Sequence, residues 1–80
     1  MTRQEAESFA YARFAALAKA FGPSGVPPMD ACLQVFEAWW AMYADQLSGE
    51  TELQNRVSIT AFVTGLFAGW DLGTQLRETN

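Results

Sequence analysis

The segment MDACLQVFEAWWAMYADQL, residues 29–47, carries more apolar side chains than one side of a helix can bury. One stripe at helical spacing contains Met29, Cys32, Leu33, Phe36, Trp40, Tyr43 and Leu47, and a second row beside it contains Val35, Trp39 and Met42. At about 100° per residue the two rows cover well over half of the helix circumference, whereas a surface helix usually has an apolar stripe roughly 100° wide. A chain of 80 residues has little material to cover both rows. We therefore expect the second row to be buried against another chain.

The adjacent tryptophans divide the two rows. Trp39 and Trp40 point about 100° apart on a helix, so they cannot both face the same core. We expect Trp40 to fill the core of the chain and Trp39 to belong to the second surface.

Local capping signals place the ends of three helices. Thr2 with Glu5, and Thr51 with Gln54, form capping boxes that satisfy unpaired backbone N–H groups at a helix start. Gly22 is a candidate left-handed C-cap before a proline, in the loop GPSGVPP. The predicted helices cover residues 3–21, 28–47 and 52–77.

The proline and glycine positions support the same division. Pro28 suits the first turn of the second helix, and Ser48 with Gly49 forms a second C-cap signal. Two short loops between three helices predict an all-α fold, a small antiparallel three-helix bundle with up-down-up order, as a single helical domain over residues 1–80.

The third helix has an apolar stripe that does not cover its first turns. The stripe consists of Ile59, Phe62, Val63, Leu66, Phe67 and Trp70. Leu53 and Val57 lie off this stripe, so either the helix breaks near Ser58 or it is continuous and its first turns contact something else. We favour the continuous helix.

Composition and charge exclude several classes of protein. A hydrophobic fraction of 50% is too high for a disordered chain. The net charge is −4 and the five basic residues are dispersed, so direct binding to nucleic acid is not expected. The longest apolar run is shorter than the roughly 20 residues that cross a bilayer, so no membrane insertion is expected either. The single cysteine, Cys32, is interpreted as a core residue, and we expect a cytoplasmic, reducing compartment.

Nothing in the sequence points to catalysis. The chain has no histidine and lacks the motifs of nucleophilic hydrolases, nucleotide-binding loops and calcium loops. Glu37 and Asp45 are two turns apart on a polar face and are interpreted as solvated. We predict no enzyme activity, no cofactor and no metal site.

Three groups of residues are candidates for binding. Arg13 lies among apolar residues on the helical wheel of the first helix, so it either extends along the core edge, pairing with a carboxylate such as Glu37 or Asp71, or anchors an interface. The small residues Ala61, Gly65, Gly69 and Gly73 form a ridge that accepts Trp39 or Trp40, or else a helix of a partner. The acidic residues Asp45, Glu50 and Glu52 surround the second loop, where they are solvated or steer a basic partner.

Two sequence patterns resemble a known type of protein. FEAWW at residues 36–40 and AFVTGLFAGW at residues 61–70 resemble the two-helix signature of small accessory proteins from phages and prophages. The resemblance covers about the last 50 residues and carries no shared activity. It implies a protein that binds and blocks or redirects a host protein, similar in type to inhibitors of host defence such as anti-CRISPR proteins.

These observations predict a non-catalytic protein-interaction module. Its interface is expected to include Val35, Trp39, Met42, Arg13 and the acidic second loop, and its partner is expected to be a host protein. Self-association is also expected, with a dimer favoured. The alternatives are a helical module that binds a small ligand between its helices, and a minor structural or assembly protein of a particle.

Overall fold

A computed structural model describes residues 1–21 and 27–79, and its elements are three α-helices. Helix α1 covers Arg3–Phe21, α2 covers Met29–Ser48 and α3 covers Glu52–Thr79. These bounds confirm the all-α bundle and agree with the predicted helices to within two residues. None of the three, over the part of the chain that is described, is both long and apolar enough to cross a membrane.

The two capping boxes form as predicted. The Thr2 hydroxyl accepts a hydrogen bond from the Glu5 backbone N–H at 3.1 Å, and the Thr2 N–H donates to the Glu5 carboxylate at 3.0 Å. Thr51 and Gln54 exchange the equivalent pair of bonds at 3.1 and 2.8 Å. Because each box satisfies two backbone groups within one turn, local sequence alone is enough to start both helices.

Two details of the helix ends differ from prediction. Pro28 is the N-cap of α2 rather than its first helical residue, with φ −57° and ψ 133°. Gly49 ends α2 in a right-handed conformation, with φ −84°, and its N–H donates to the Gln46 carbonyl at 3.2 Å. This helix end therefore tightens without a left-handed residue. The predicted C-cap at Gly22 lies outside the described residues.

The two capping boxes should contribute to stability with different dependences on pH. The hydrogen bonds from Thr2 lower the pKa of Glu5, so the folded state favours the ionised form. The resulting stabilisation is present above the unfolded pKa and is lost as the pH falls through the lower, folded pKa. We expect the melting temperature of Glu5→Gln to fall less steeply at acid pH than that of the wild type, because this contribution is absent.

The second box provides the control for that experiment. Gln54 does not ionise. Thr51→Ala should therefore lower the free energy of unfolding by about 1 kcal/mol, and this loss should be the same at every pH. An acid-side slope that persists unchanged in Glu5→Gln would contradict the role given to Glu5.

The core lies on the face of α1 that packs against both other helices, more extensively against α3 than against α2. Ala6 and Ala10 are completely buried, and their small side chains let the neighbouring helices approach closely. One turn further on, the Phe14 ring stacks on Phe67 of α3 with centroids 5.9 Å apart. The remaining members of the buried cluster are Cys32, Phe36, Ile59 and Val63.

Helices α2 and α3 run antiparallel and meet through aromatic rings. Asn55 bonds to the carbonyl of Leu47 near their shared loop, while further from it Phe62 contacts Trp39 and Phe36. Helix α3 is continuous through the region near residue 58. The up-down-up order and the continuous third helix therefore agree with the sequence prediction.

Candidate functional site

The second row predicted on α2 forms an exposed apolar surface. Met42 is 75% exposed and Val35 is 44% exposed, and they lie two turns apart on the same side of α2. Tyr43, which belongs to the first apolar stripe of α2, is also exposed and contacts Trp39, with ring centroids 6.1 Å apart. We call Val35, Trp39, Met42 and Tyr43 the α2 patch.

The roles predicted for the two tryptophans were wrong in one respect. Trp39 is half-buried and stacks on Phe62, with ring centroids 4.7 Å apart and an interplanar angle of 18°. Trp40 is also half-buried, and its ring centroid lies 6.2 Å from that of Phe36. Both tryptophans thus lie at the core edge, because Phe62 of α3 covers the second row at its centre. Trp39 forms the floor of the α2 patch rather than its outer surface.

Arg13 is exposed and lies beside the core rather than within it. Phe14 is the buried residue of this turn. The Arg13 guanidinium carbon lies 5.1 Å from the centroid of the Phe9 ring, and that of Arg56 on α3 lies 5.7 Å from the same ring. Glu37, one predicted partner of Arg13, instead accepts a hydrogen bond from Arg3 at 2.9 Å. Arg13 therefore extends along the edge of the core, with its charge in solvent.

A groove between α1 and α3 lies beside these two guanidinium groups. It is open, has a volume of about 500 Å³ and is mostly apolar. Its lining includes Phe9, Arg13, Leu53, Arg56, Val57 and Thr60. Leu53 and Val57 are thus exposed at the rim of a groove, which accounts for their position off the core stripe of α3.

The glycine ridge of α3 does not accept a tryptophan. A methyl group built at Gly65, Gly69 or Gly73 would meet nothing within 4 Å. Ala61 is exposed as well. The intramolecular explanation of the ridge is therefore wrong, and these small residues face open space.

The acidic residues around the second loop have different environments. The Glu50 carboxylate accepts hydrogen bonds from Asn55 at 3.0 Å and from Ser58 at 3.4 Å, so it is used within the fold. The Glu52 carboxylate lies 3.6 Å from the guanidinium group of Arg56, one turn along α3. The side chain of Asp45 is exposed. The three carboxylates therefore do not share one environment.

Asn55 is a structural residue that the sequence analysis missed. It is 2% exposed, and its amide nitrogen donates to the Leu47 carbonyl at 2.9 Å and to the Glu50 carboxylate. It joins the end of α2, the second loop and the first turn of α3. The available signal was its position four residues before Ile59, on an extension of the core stripe.

Two observations concern the reactive side chains of the described residues. Burial raises the pKa of the Cys32 thiol, which keeps it protonated and unreactive within the core. Among the described residues, no three His, Cys, Asp or Glu side chains lie close enough together to hold a metal ion.

Comparison with protein-family models, with curated proteins and with solved structures gives no match for this chain. What the protein binds must therefore be inferred from its own exposed surfaces.

Proposed function

We propose that this protein is a non-catalytic interaction module that binds another protein through the α2 patch. The observation that carries the proposal is the exposure of Met42, Val35 and Tyr43 around the half-buried Trp39. Single exposed apolar residues need no explanation, but a group of large ones on one helix marks an interaction site. Trp39 stacked on Phe62 provides a rigid aromatic floor of the kind that anchors protein interfaces.

The partner we propose is a protein of a bacterial host, in keeping with the resemblance to small phage accessory proteins. Such a protein would act in the cytoplasm of that host by occupying a surface of its target. An inhibitor of CRISPR-based defence is the specific form of this proposal. It needs only a binding surface and no reactive group.

The α2 patch can be tested without disturbing the core. Val35→Lys and Met42→Lys each place a charge in the proposed interface at an exposed position, so the fold should be retained. We expect each variant to weaken partner binding by at least tenfold, because the lysine is desolvated without a counter-charge. Ala41→Lys makes the same change in charge on another side of α2 and should bind as the wild type does.

The measurement is capture from host lysate by the wild type and the three variants, followed by titration of any protein that the wild type retains. Circular dichroism should give the same melting temperature within a few degrees for all four proteins. Equal capture by the wild type and both patch variants would exclude the α2 patch as the binding surface.

The specific form of the proposal has its own assay. Expression of the wild type in cells with an active CRISPR system should raise the plating efficiency of a targeted phage, and Met42→Lys should not. If the wild type leaves plating efficiency unchanged across the CRISPR types of the host, inhibition of that defence is excluded.

A further inference from the structure

The outer surface of α3 is a second exposed apolar surface, separate from the α2 patch. Between Val57 and Trp70 the helix has no charged residue, although much of this segment faces solvent. Leu53 is 71% exposed, and Leu72 and Leu76 are each 58% exposed. We define the α3 face by six exposed residues, which are Leu53, Val57, Ala61, Ala68, Leu72 and Leu76.

The order of side-chain sizes along the α3 face is the same when read from either end. Its large residues lie at both ends and its small residues at the centre, and the midpoint falls between Thr64 and Gly65. The pairs related by this midpoint are Leu53 with Leu76, Val57 with Leu72, and Ala61 with Ala68. A two-fold interface requires this relation, because residue i must contact residue j of the other copy while j contacts i.

From this arrangement we infer that the occupant of the α3 face is a second copy of this chain, bound with the two α3 helices antiparallel. The residues form two i, i+4 ridges, the pattern of the commonest class of helix crossing. At the crossing point Ala61, Gly65 and Ala68 let the two backbones approach closely, and the space around Gly65 is open in the single chain. The inference uses a different surface from the proposed function and does not depend on it.

The groove between α1 and α3 completes the complementarity. In this register the C-terminal part of the second copy's α3 lies over the groove of the first copy. Leu72 and Leu76 of the second copy then contact Val57 and Leu53 of the first. The groove rim carries the guanidinium group of Arg13, and the incoming segment carries the carboxylate of Asp71. The charges of the two surfaces are therefore opposite where they meet, and symmetry repeats the pairing at the other end.

The size of the interface predicts a weak dimer. From Leu53 to Leu76 the helix is about 35 Å long, and a strip about 10 Å wide gives roughly 350 Å² per copy before the groove is added. A stable interface usually buries about 800 Å² per partner. We expect dissociation in the micromolar range, so the experiment must cover concentrations from about 1 μM to 1 mM.

Sedimentation equilibrium of the full chain should show a mass that rises from 8.8 kDa towards twice that value with concentration. Ala68→Lys should raise the concentration at which half of the chains are dimeric by at least tenfold. Ala41→Lys and Met42→Lys should leave this concentration unchanged. Arg13→Asp should weaken the dimer, and adding Asp71→Arg to the same chain should restore it. A mass of 8.8 kDa at every concentration would overturn the inference, as would a dimer lost in Met42→Lys but kept in Ala68→Lys.

Disulfide formation tests the register in a Cys32→Ser background. Thr64→Cys lies beside the two-fold axis and should cross-link to its own copy. Residues at 61 in both copies are about 10 Å apart along the axis, beyond the reach of a disulfide. Ala61→Cys and Ala68→Cys should therefore cross-link only when the two variants are mixed. Cross-linking of each variant alone, with no gain on mixing, would overturn the antiparallel register.

Discussion

Phe36→Ala is expected to lower the free energy of unfolding by about 3 to 5 kcal/mol, the usual cost of removing a buried phenylalanine ring. Phe36 is 1% exposed and its ring contacts those of Trp39, Trp40 and Phe62. The substitution would leave a cavity where α2 meets α3, and the three neighbouring rings are too stiff to fill it. A chain of 80 residues has a total stability of roughly 4 to 12 kcal/mol, so this loss removes a large part of that stability.

Urea unfolding followed by circular dichroism measures this loss. Met42→Ala is the matched control, because it removes a large apolar side chain from the same helix at an exposed position. It should change the free energy of unfolding by less than about 0.5 kcal/mol. Equal effects of the two substitutions would mean that the aromatic cluster does not form the centre of the α2–α3 contact.

Asn55→Asp is the second substitution with a large expected effect, although it changes only one polar group. The new carboxylate would face the Leu47 carbonyl and the Glu50 carboxylate, which accept hydrogen bonds from the Asn55 amide in the wild type. A buried acceptor would then oppose two other acceptors and carry a charge. We expect a loss of about 3 kcal/mol or more at neutral pH.

The pH dependence distinguishes this cause from a packing defect. Protonation of the introduced carboxyl group restores a donor, so the loss in Asn55→Asp should shrink as the pH is lowered towards 4. Asn55→Leu should be destabilised by about 1 to 3 kcal/mol without that recovery. Gln46→Glu makes the same amide-to-carboxylate change at an exposed site of α2 and should have little effect at any pH. A pH-independent loss in Asn55→Asp would contradict the hydrogen-bond arrangement.

The α2 patch and the α3 face bear differently on how the chain functions. The α2 patch has a rigid aromatic floor and exposed large side chains around it, which suits a foreign protein. The α3 face has small residues at its centre and mirrored leucines at its ends, which suits a second copy. If both proposals hold, one dimer presents two α2 patches, and a target with repeated sites would be bound more tightly than by a single chain.

The candidate site was only partly predictable. Val35 and Met42 were correctly placed on an outer surface, because an excess of apolar residues around one helix must leave some of them exposed. The same reasoning placed Trp39 wrongly, since nothing local to α2 shows that Phe62 lies above it. The ridge of Gly65, Gly69 and Gly73 has the spacing of a packed groove, yet the spacing does not tell whether a neighbour is present.

By itself, the sequence determined the number of helices, their bounds to within two residues, and the core stripes of α2 and α3 apart from Tyr43 and Trp70, which are exposed. These features depend on capping bonds within one turn, as at Thr2 and Thr51, and on the spacing of apolar side chains along one helix. Only the tertiary structure decided how each helix is rotated about its axis. That rotation buried Phe14 and left Arg13 in solvent, covered Trp39 with Phe62, and enclosed Asn55. It depends on how the faces of three helices fit together, and contacts between residues far apart in the chain leave no periodic signal in the sequence.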